Sequence, residues 1–151
     1  MTFIPSTPAE PSDVTVINDG WFPDLSTAEL KARTGLGEIF GAERVAAAVR
    51  ASMIEVNSAV RRWRESQSAG SLADVPAVLY GDESEKVILY KTGVYARARA
   101  FLLETTRDYD STKSGHDRAD ALEPTADDWA RQSAEALARM TGRPRAIVEL
   151  I

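Results

Sequence analysis

The sequence predicts an all-α fold: a small bundle of about four helices, with an extended N-terminal arm and an extended C-terminal tail. Three observations carry that reading. Residues 82–108 place Val87, Tyr90, Val94, Ala98, Phe101, Leu102, Thr105 and Tyr109 on one side at helical spacing, and Ile88, Leu89, Tyr95 and Leu103 widen the stripe. A surface helix needs an apolar arc of roughly 100°. This arc is wider, so the segment is read as a central helix covered on at least two sides, with Phe101 in the core. Residues 42–69 repeat Val45, Val49, Met53, Val56, Val60 and Trp63 in an a/d-like stripe. Finally, Pro5, Pro8 and Pro11 at one end and Pro144 at the other forbid helix there.

In chain order, residues 1–20 are the arm. Val14-Thr-Val-Ile17 is extended and Asn18-Asp-Gly20 turns. The arm is expected to be mobile, either ordering on a partner or fraying as a terminus. Trp21 and Phe22 follow, and they either plug the domain's own core or contact a partner. Ser26-Thr-Ala-Glu29 fits a capping box with Leu25 and Leu30 at the staple positions. The first helix, 26–34, stops at Gly35. Residues 42–69 form a rod of about 42 Å that ends at Gly70. Its outer side carries Arg50, Glu55, Arg61, Arg62, Arg64 and Glu65. With acids interleaved and no aromatic stacking set beside them, the arginines read as a solvated or inter-chain ion-pair face rather than a phosphate site.

The connection 71–81 supplies Leu72, Val75, Val78, Leu79 and Tyr80, expected to close one end of the core. In 82–108, Asp82, Glu83 and Glu85 come early and Arg97, Arg99 and Arg107 late, which suits the helix dipole. Gly93 inside this helix costs about 1 kcal/mol against Ala; it marks either a close helix crossing or a tolerated surface position. Residues 108–123 are a long polar loop. Asp108, Asp110, His116, Asp117 and Asp120 can be grouped there as a cation site. Their spacing matches no EF-hand loop and no glycine stands where that loop turns, so a solvated loop is the reading taken. The last helix, 125–141, has Asp127 and Asp128 in its first turn and turns Trp129, Ser133, Ala136, Leu137 and Met140 inward.

The helical domain thus runs over 21–142, and 143–151 is a tail. Gly142 and Pro144 detach the tail from the last helix. Its Ile147, Val148, Leu150 and Ile151 are a β-rich apolar string that needs cover, and Arg143 and Arg145 add charge. The tail is read as an element that docks outside its own domain, with folding back on its own bundle as the alternative.

Composition narrows the function classes. At 151 residues the chain is one domain, large enough to fold without staples. It has no cysteine and a single histidine, His116. That excludes disulfides, thiolate metal sites and, without a partner's residues, His-cluster zinc sites and His-based triads. The net charge of −5 argues against non-specific DNA binding. There is no run of roughly 18 apolar residues and no signal-peptide pattern at the N-terminus. A soluble chain folded in a reducing compartment is expected, with no catalytic residue, no metal and no cofactor.

Several short pieces occur in a telling order: Phe22-Pro23-Asp24, Glu55-Val-Asn57, Gly70-Ser-Leu-Ala-Asp-Val-Pro-Ala77, Gly81-Asp-Glu-Ser84 with Tyr90, Arg107-Asp108, Ala119-Asp120, Trp129 and Gly142-Arg-Pro-Arg-Ala-Ile-Val148. Together they resemble the head-completion or head-stabilisation proteins of contractile-tailed phages, the GpL type. The resemblance implies a helical structural protein of the virion, assembled in the host cytoplasm and placed at the head-tail neck. Copies would form a ring on the portal protein, twelve-fold by the portal's symmetry. The ring would stabilise the DNA-filled head, let DNA pass without sequence-specific binding, and offer a surface to a neck or tail-completion protein. No catalytic residue and no membrane contact are implied. On this reading Arg143, Pro144, Arg145, Ile147, Val148, Leu150 and Ile151 dock on the portal, and Trp21 and Phe22 are a further partner contact. Alone, the chain is expected to be monomeric or weakly self-associating. The alternatives are an acidic helical DNA-packaging or regulatory protein that binds DNA, and a hydrolase using Asp108, Asp110, His116 and Asp117.

Overall fold

A computed structural model describes residues 13–110 and 123–143, with backbone alone for 107–110. The elements are β1 (Thr15–Val16), β2 (Leu25–Ser26), α1 (Thr27–Thr34), α2 (Ala42–Ala59), α3 (Arg61–Glu65), a 3-10 turn (Leu72–Asp74), β3 (Leu79–Tyr80), β4 (Glu83–Ser84), α4 (Glu85–Asp110) and α5 (Ala126–Met140). The bundle of helices is as expected, but the fold is not strictly all-α. β1 pairs antiparallel with β2, and β3 with β4. Ladders of two residues are too short to leave a period-two pattern in the sequence.

Residues 13–20, placed in the arm by the sequence, are extended and held on the domain. Val14 N–H donates to Thr27 Oγ1 at 2.8 Å and Thr27 N–H to the Val14 carbonyl at 3.0 Å. Val16 and Leu25, opposite each other in the register, are both buried. Residues 1–12 lie outside the described part.

The rod expected over 42–69 is broken and shorter. Val60 leaves helical geometry (φ −99°, ψ 6°) between α2 and α3. Hydrogen bonds from Val60 to Val56 (3.0 Å) and from Arg64 to Val60 (2.9 Å) span the break, so Val60 stays in the core and Trp63 still packs on it. The helix stops because Ser66 Oγ and Gln67 Nε2 both donate to the Trp63 carbonyl, at 2.6 and 3.2 Å. Polar side chains near a helix end compete with its own ladder in this way.

The central helix also starts later than Asp82. Gly81, at φ 64°, takes the first central position of the two-residue β3–β4 turn, where a positive φ is needed. Ser84 then caps α4, its Oγ accepting from the Lys86 N–H at 3.2 Å. α4 packs against α1, α2, α5, β4 and the 3-10 turn, and Val87, Tyr90, Val94, Tyr95, Ala96, Ala98, Ala100 and Leu102 are buried along it. Phe101 is a correction: it is 39% exposed, because the apolar arc of α4 is wider than the cover it receives there.

Gly93 marks a close crossing. A Cβ on it would stand 2.8 Å from Leu137 Cδ2 of α5, and Ser133 Oγ donates to the Gly93 carbonyl at 2.7 Å. Thr125 and Asp128 form the capping box that starts α5. At its far end Gly142 (φ 69°) donates to the Arg139 carbonyl and Arg143 to that of Ala138, at 3.2 and 2.9 Å. This Schellman pairing sets the direction in which the chain leaves the bundle.

Gly93→Leu is expected to destabilise the fold by about 1–3 kcal/mol through overpacking, although Leu favours helix. Leu102→Ala should cost about 2–5 kcal/mol and Phe101→Ala clearly less. Urea unfolding of the three variants checks the order; an equal or larger loss for Phe101→Ala would contradict the packing described.

Candidate functional site

Residues 18–24 form a latch that ties the chain's start to the bundle. Asn18 Nδ2 donates to the Tyr90 hydroxyl at 2.8 Å and to the Pro23 carbonyl at 2.9 Å. Tyr90 donates to Asn57 Oδ1 at 2.6 Å, and Asn57 Nδ2 returns to Asn18 Oδ1 at 3.0 Å. The loop, α2 and α4 thus share one closed polar triangle. Asp19 Oδ1 accepts from the N–H groups of Trp21 and Phe22, each at 3.0 Å, while its Oδ2 pairs with Arg64 at 2.7 Å. Phe22 stacks on Tyr90 with centroids 4.5 Å apart, and the Arg64 guanidinium lies 5.2 Å from the Trp21 ring. Burial pushes the Tyr90 hydroxyl above its ordinary value, and the Asp19 charge adds to this.

Phe22 is buried, which leaves it no surface to offer a partner. Its aromatic face is spent on Tyr90. Trp21 is half-buried, with its Nε1 donating to the Ala69 carbonyl at 3.0 Å and its own carbonyl accepting from Leu72 N–H at 2.9 Å. Several of the pieces that carried the resemblance, Phe22-Pro23-Asp24, Asn57, Leu72 of the Gly70–Ala77 piece, and Tyr90, therefore meet at this one place. Sequence reasoning passed over Asn18 and Asp19 as a plain turn and Arg64 as solvated face. The Asn-Asp-Gly signature was the available signal, since Asx side chains bind backbone two or three residues on.

A second cluster ties α1 to α4. Tyr95 donates to Glu29 Oε2 at 2.8 Å and accepts from the Ser26 N–H at 3.1 Å. The tyrosine takes the place that Glu29 would fill in a full capping box, while Ser26 Oγ caps Glu29 N–H at 3.3 Å. Glu29 also pairs with Arg33 (2.6 Å) and Lys91 (3.6 Å), and Lys91 reaches Glu83 of the hairpin at 2.9 Å. Burial works to raise the Glu29 carboxyl, but the Tyr95 hydrogen bond and the Arg33 and Lys91 charges outweigh it and hold it below its ordinary value. These polar groups satisfy one another, an arrangement suited to holding elements together rather than to moving protons. Among the described residues, no group of three or more His, Cys, Asp or Glu is placed to hold a metal.

What remains for a partner lies on the surface. Two adjoining clefts of about 220 and 230 Å³ share Ala59, Ala134 and Leu137 and form one apolar groove between α2 and α5. Glu55 and Arg97 flank one end, and Thr141 and Arg143 the other. Another cleft of about 260 Å³ opens between α1 and α5 beside Trp129. Val78, Leu79 and Tyr80 do not close the core as expected: they are 59%, 64% and 61% exposed, because the β3–β4 hairpin stands off the bundle and Leu72 and Val75 alone turn inward from this segment. Of the tail, Arg143 is exposed at the groove's end; Pro144, Arg145, Ile147, Val148, Leu150 and Ile151 lie outside the described residues, as do His116, Asp117 and Asp120.

Tyr90→Phe leaves Asn57 Oδ1 without its donor and should cost about 1–3 kcal/mol, read by chemical denaturation; no loss would mean that the triangle is not structural. Because the Glu29 carboxyl is lowered in the fold, its contribution is present above the unfolded value of 4.5 and is lost as pH falls through the lower folded value. Glu29→Gln should therefore flatten the acid side of the melting-temperature profile while the alkaline side keeps its shape.

Residues 16–151 match the family described as phage head completion protein (GPL). The head completion/stabilization protein of Escherichia phage P2 is 35% identical over 148 residues, which covers 95% of this chain and 88% of that protein. No solved structure matches the chain. The match takes in the latch, the bundle and the tail alike, and the chain belongs to the family of phage head completion proteins.

Proposed function

We propose that this structural phage head protein acts as a head-to-tail connector: copies form a ring on the portal, stabilise the DNA-filled head and offer a surface to the neck or tail-completion protein. The observation that carries the reading is the family match, which runs through the helical domain to the last residue, together with the relative's role in head completion and stabilisation. Copies related head to tail close into a ring when the rotation permits, and the twelve-fold portal sets the number. The net charge of −5 suits a passage through which DNA slides without sticking. The protein's place is then the head-tail neck of the virion, reached after assembly in the host cytoplasm.

The tail makes the portal contact in this reading, through Arg143, Pro144, Arg145, Ile147, Val148, Leu150 and Ile151. The Schellman turn at Gly142 ends α5, which supports a tail that is not a continuation of that helix. Burying four apolar side chains supplies roughly 6–12 kcal/mol gross at 1.5–3 each. Ordering the backbone of about nine residues costs about 1–2 kcal/mol apiece. One tail alone therefore holds weakly, and retention comes from many copies engaged at once.

Deleting residues 145–151 tests this. The truncated chain should keep its melting temperature and fail to join filled heads in a complementation assay. A sharply lowered melting temperature would assign the tail to its own core, and electron microscopy of wild-type heads without a ring at the portal would remove the connector reading altogether.

A further inference from the structure

The hairpin and the groove between α2 and α5 are two apolar surfaces left open on the described bundle. Val78, Leu79 and Tyr80 form a protruding apolar knob. The groove between α2 and α5 is lined by Val56, Ala59, Ala134 and Leu137, with small side chains at its lip. The hairpin is fixed to a different side of α4 from the groove. Glu85 N–H donates to the Val78 carbonyl at 2.9 Å and Glu83 pairs with Lys91. Lys91 and Arg97, which flanks the groove, are six residues apart on α4, so at 3.6 residues per turn they point about 120° apart.

We propose that the hairpin of one copy seats in the α2–α5 groove of the next, Val78, Leu79 and Tyr80 entering the apolar trough while Asp82 approaches Arg143. The proposal rests on the ring reading above and specifies which surfaces close the ring. A second copy is the occupant because both complementary surfaces belong to this chain and face different sides, the condition for a head-to-tail contact that propagates. The charges agree: the hairpin's tip carries Asp82 beside Glu83 and Glu85, and the groove's end carries Arg143. Neither Asp82 nor Arg143 has an ion-pair partner among the described residues. A knob of three side chains is small against the roughly 800 Å² per partner of a standard interface, so the contact is weak in dilute solution and fills at high protein concentration or when a template gathers the copies.

The chain has no cysteine, so engineered thiols report one contact at a time. Leu79→Cys and Ala134→Cys, each on an exposed position, are mixed at equal high concentration under mild oxidation. The mixed disulfide dimer should form at least tenfold faster than either homodimer, and the double variant should give a ladder of linked multimers. Equal rates for the mixed and like pairs would overturn the proposal. A second arm uses phage heads. Leu79→Asp should keep the melting temperature and leave filled heads without a ring at the portal. An intact ring of Leu79→Asp chains overturns the hairpin–groove contact while sparing the connector reading; wild-type heads without a ring overturn both.

Discussion

A phenol buried at the centre of a helical bundle must keep its hydroxyl bonded, and Tyr90 is that group here. Its hydroxyl takes one hydrogen bond from Asn18 and gives one to Asn57, while its ring supports Phe22. An unpaired hydroxyl at that depth would cost far more than a surface one. The placement of the N-terminal loop, α2 and α4 is therefore over-determined at one atom. The position of Trp21 against α3 and the 3-10 turn follows from it, since Asp19 and Trp21 are carried by the same loop.

The helices were legible because their burial is periodic. The stripe on α4 and the inner residues of α5 are spaced as the neighbours require, and Gly93 is explained by the approach of Leu137. The misreadings share a cause. Phe101, Val78, Leu79 and Tyr80 are apolar and were assigned to the core, yet apolar side chains make up much of any protein surface. Whether a given one is covered depends on how many neighbours reach it, which local pattern does not encode. The early end of the rod after Glu65 depends on two polar side chains choosing one carbonyl. The latch joins residues 72 positions apart, beyond any local signal; the pieces Phe22-Pro23-Asp24, Asn57 and Tyr90 stood out only through the family resemblance.

Membership of the phage head completion family and the distribution of polar bonds tell a consistent story. Tyr90, Tyr95 and Glu29 are tied to structure by their hydrogen bonds, and the hairpin and the groove are apolar features of the described surface. A structural phage head protein requires that division: a bundle that holds its shape and projecting parts that meet others. The groove ends at Arg143, the last described residue.

The latch has a consequence for synthesis. Chains emerge from the ribosome N-terminal end first, and the residues that bind Asn18, Ser26 and Glu29 are Asn57, Tyr90 and Tyr95. α2 offers β1 and α1 part of their surface, but Tyr90 and Tyr95 come only with α4. A contact spanning 72 positions also carries a loop-closure cost, so Asn18, Ser26 and Glu29 complete their bonds only after α4 is made.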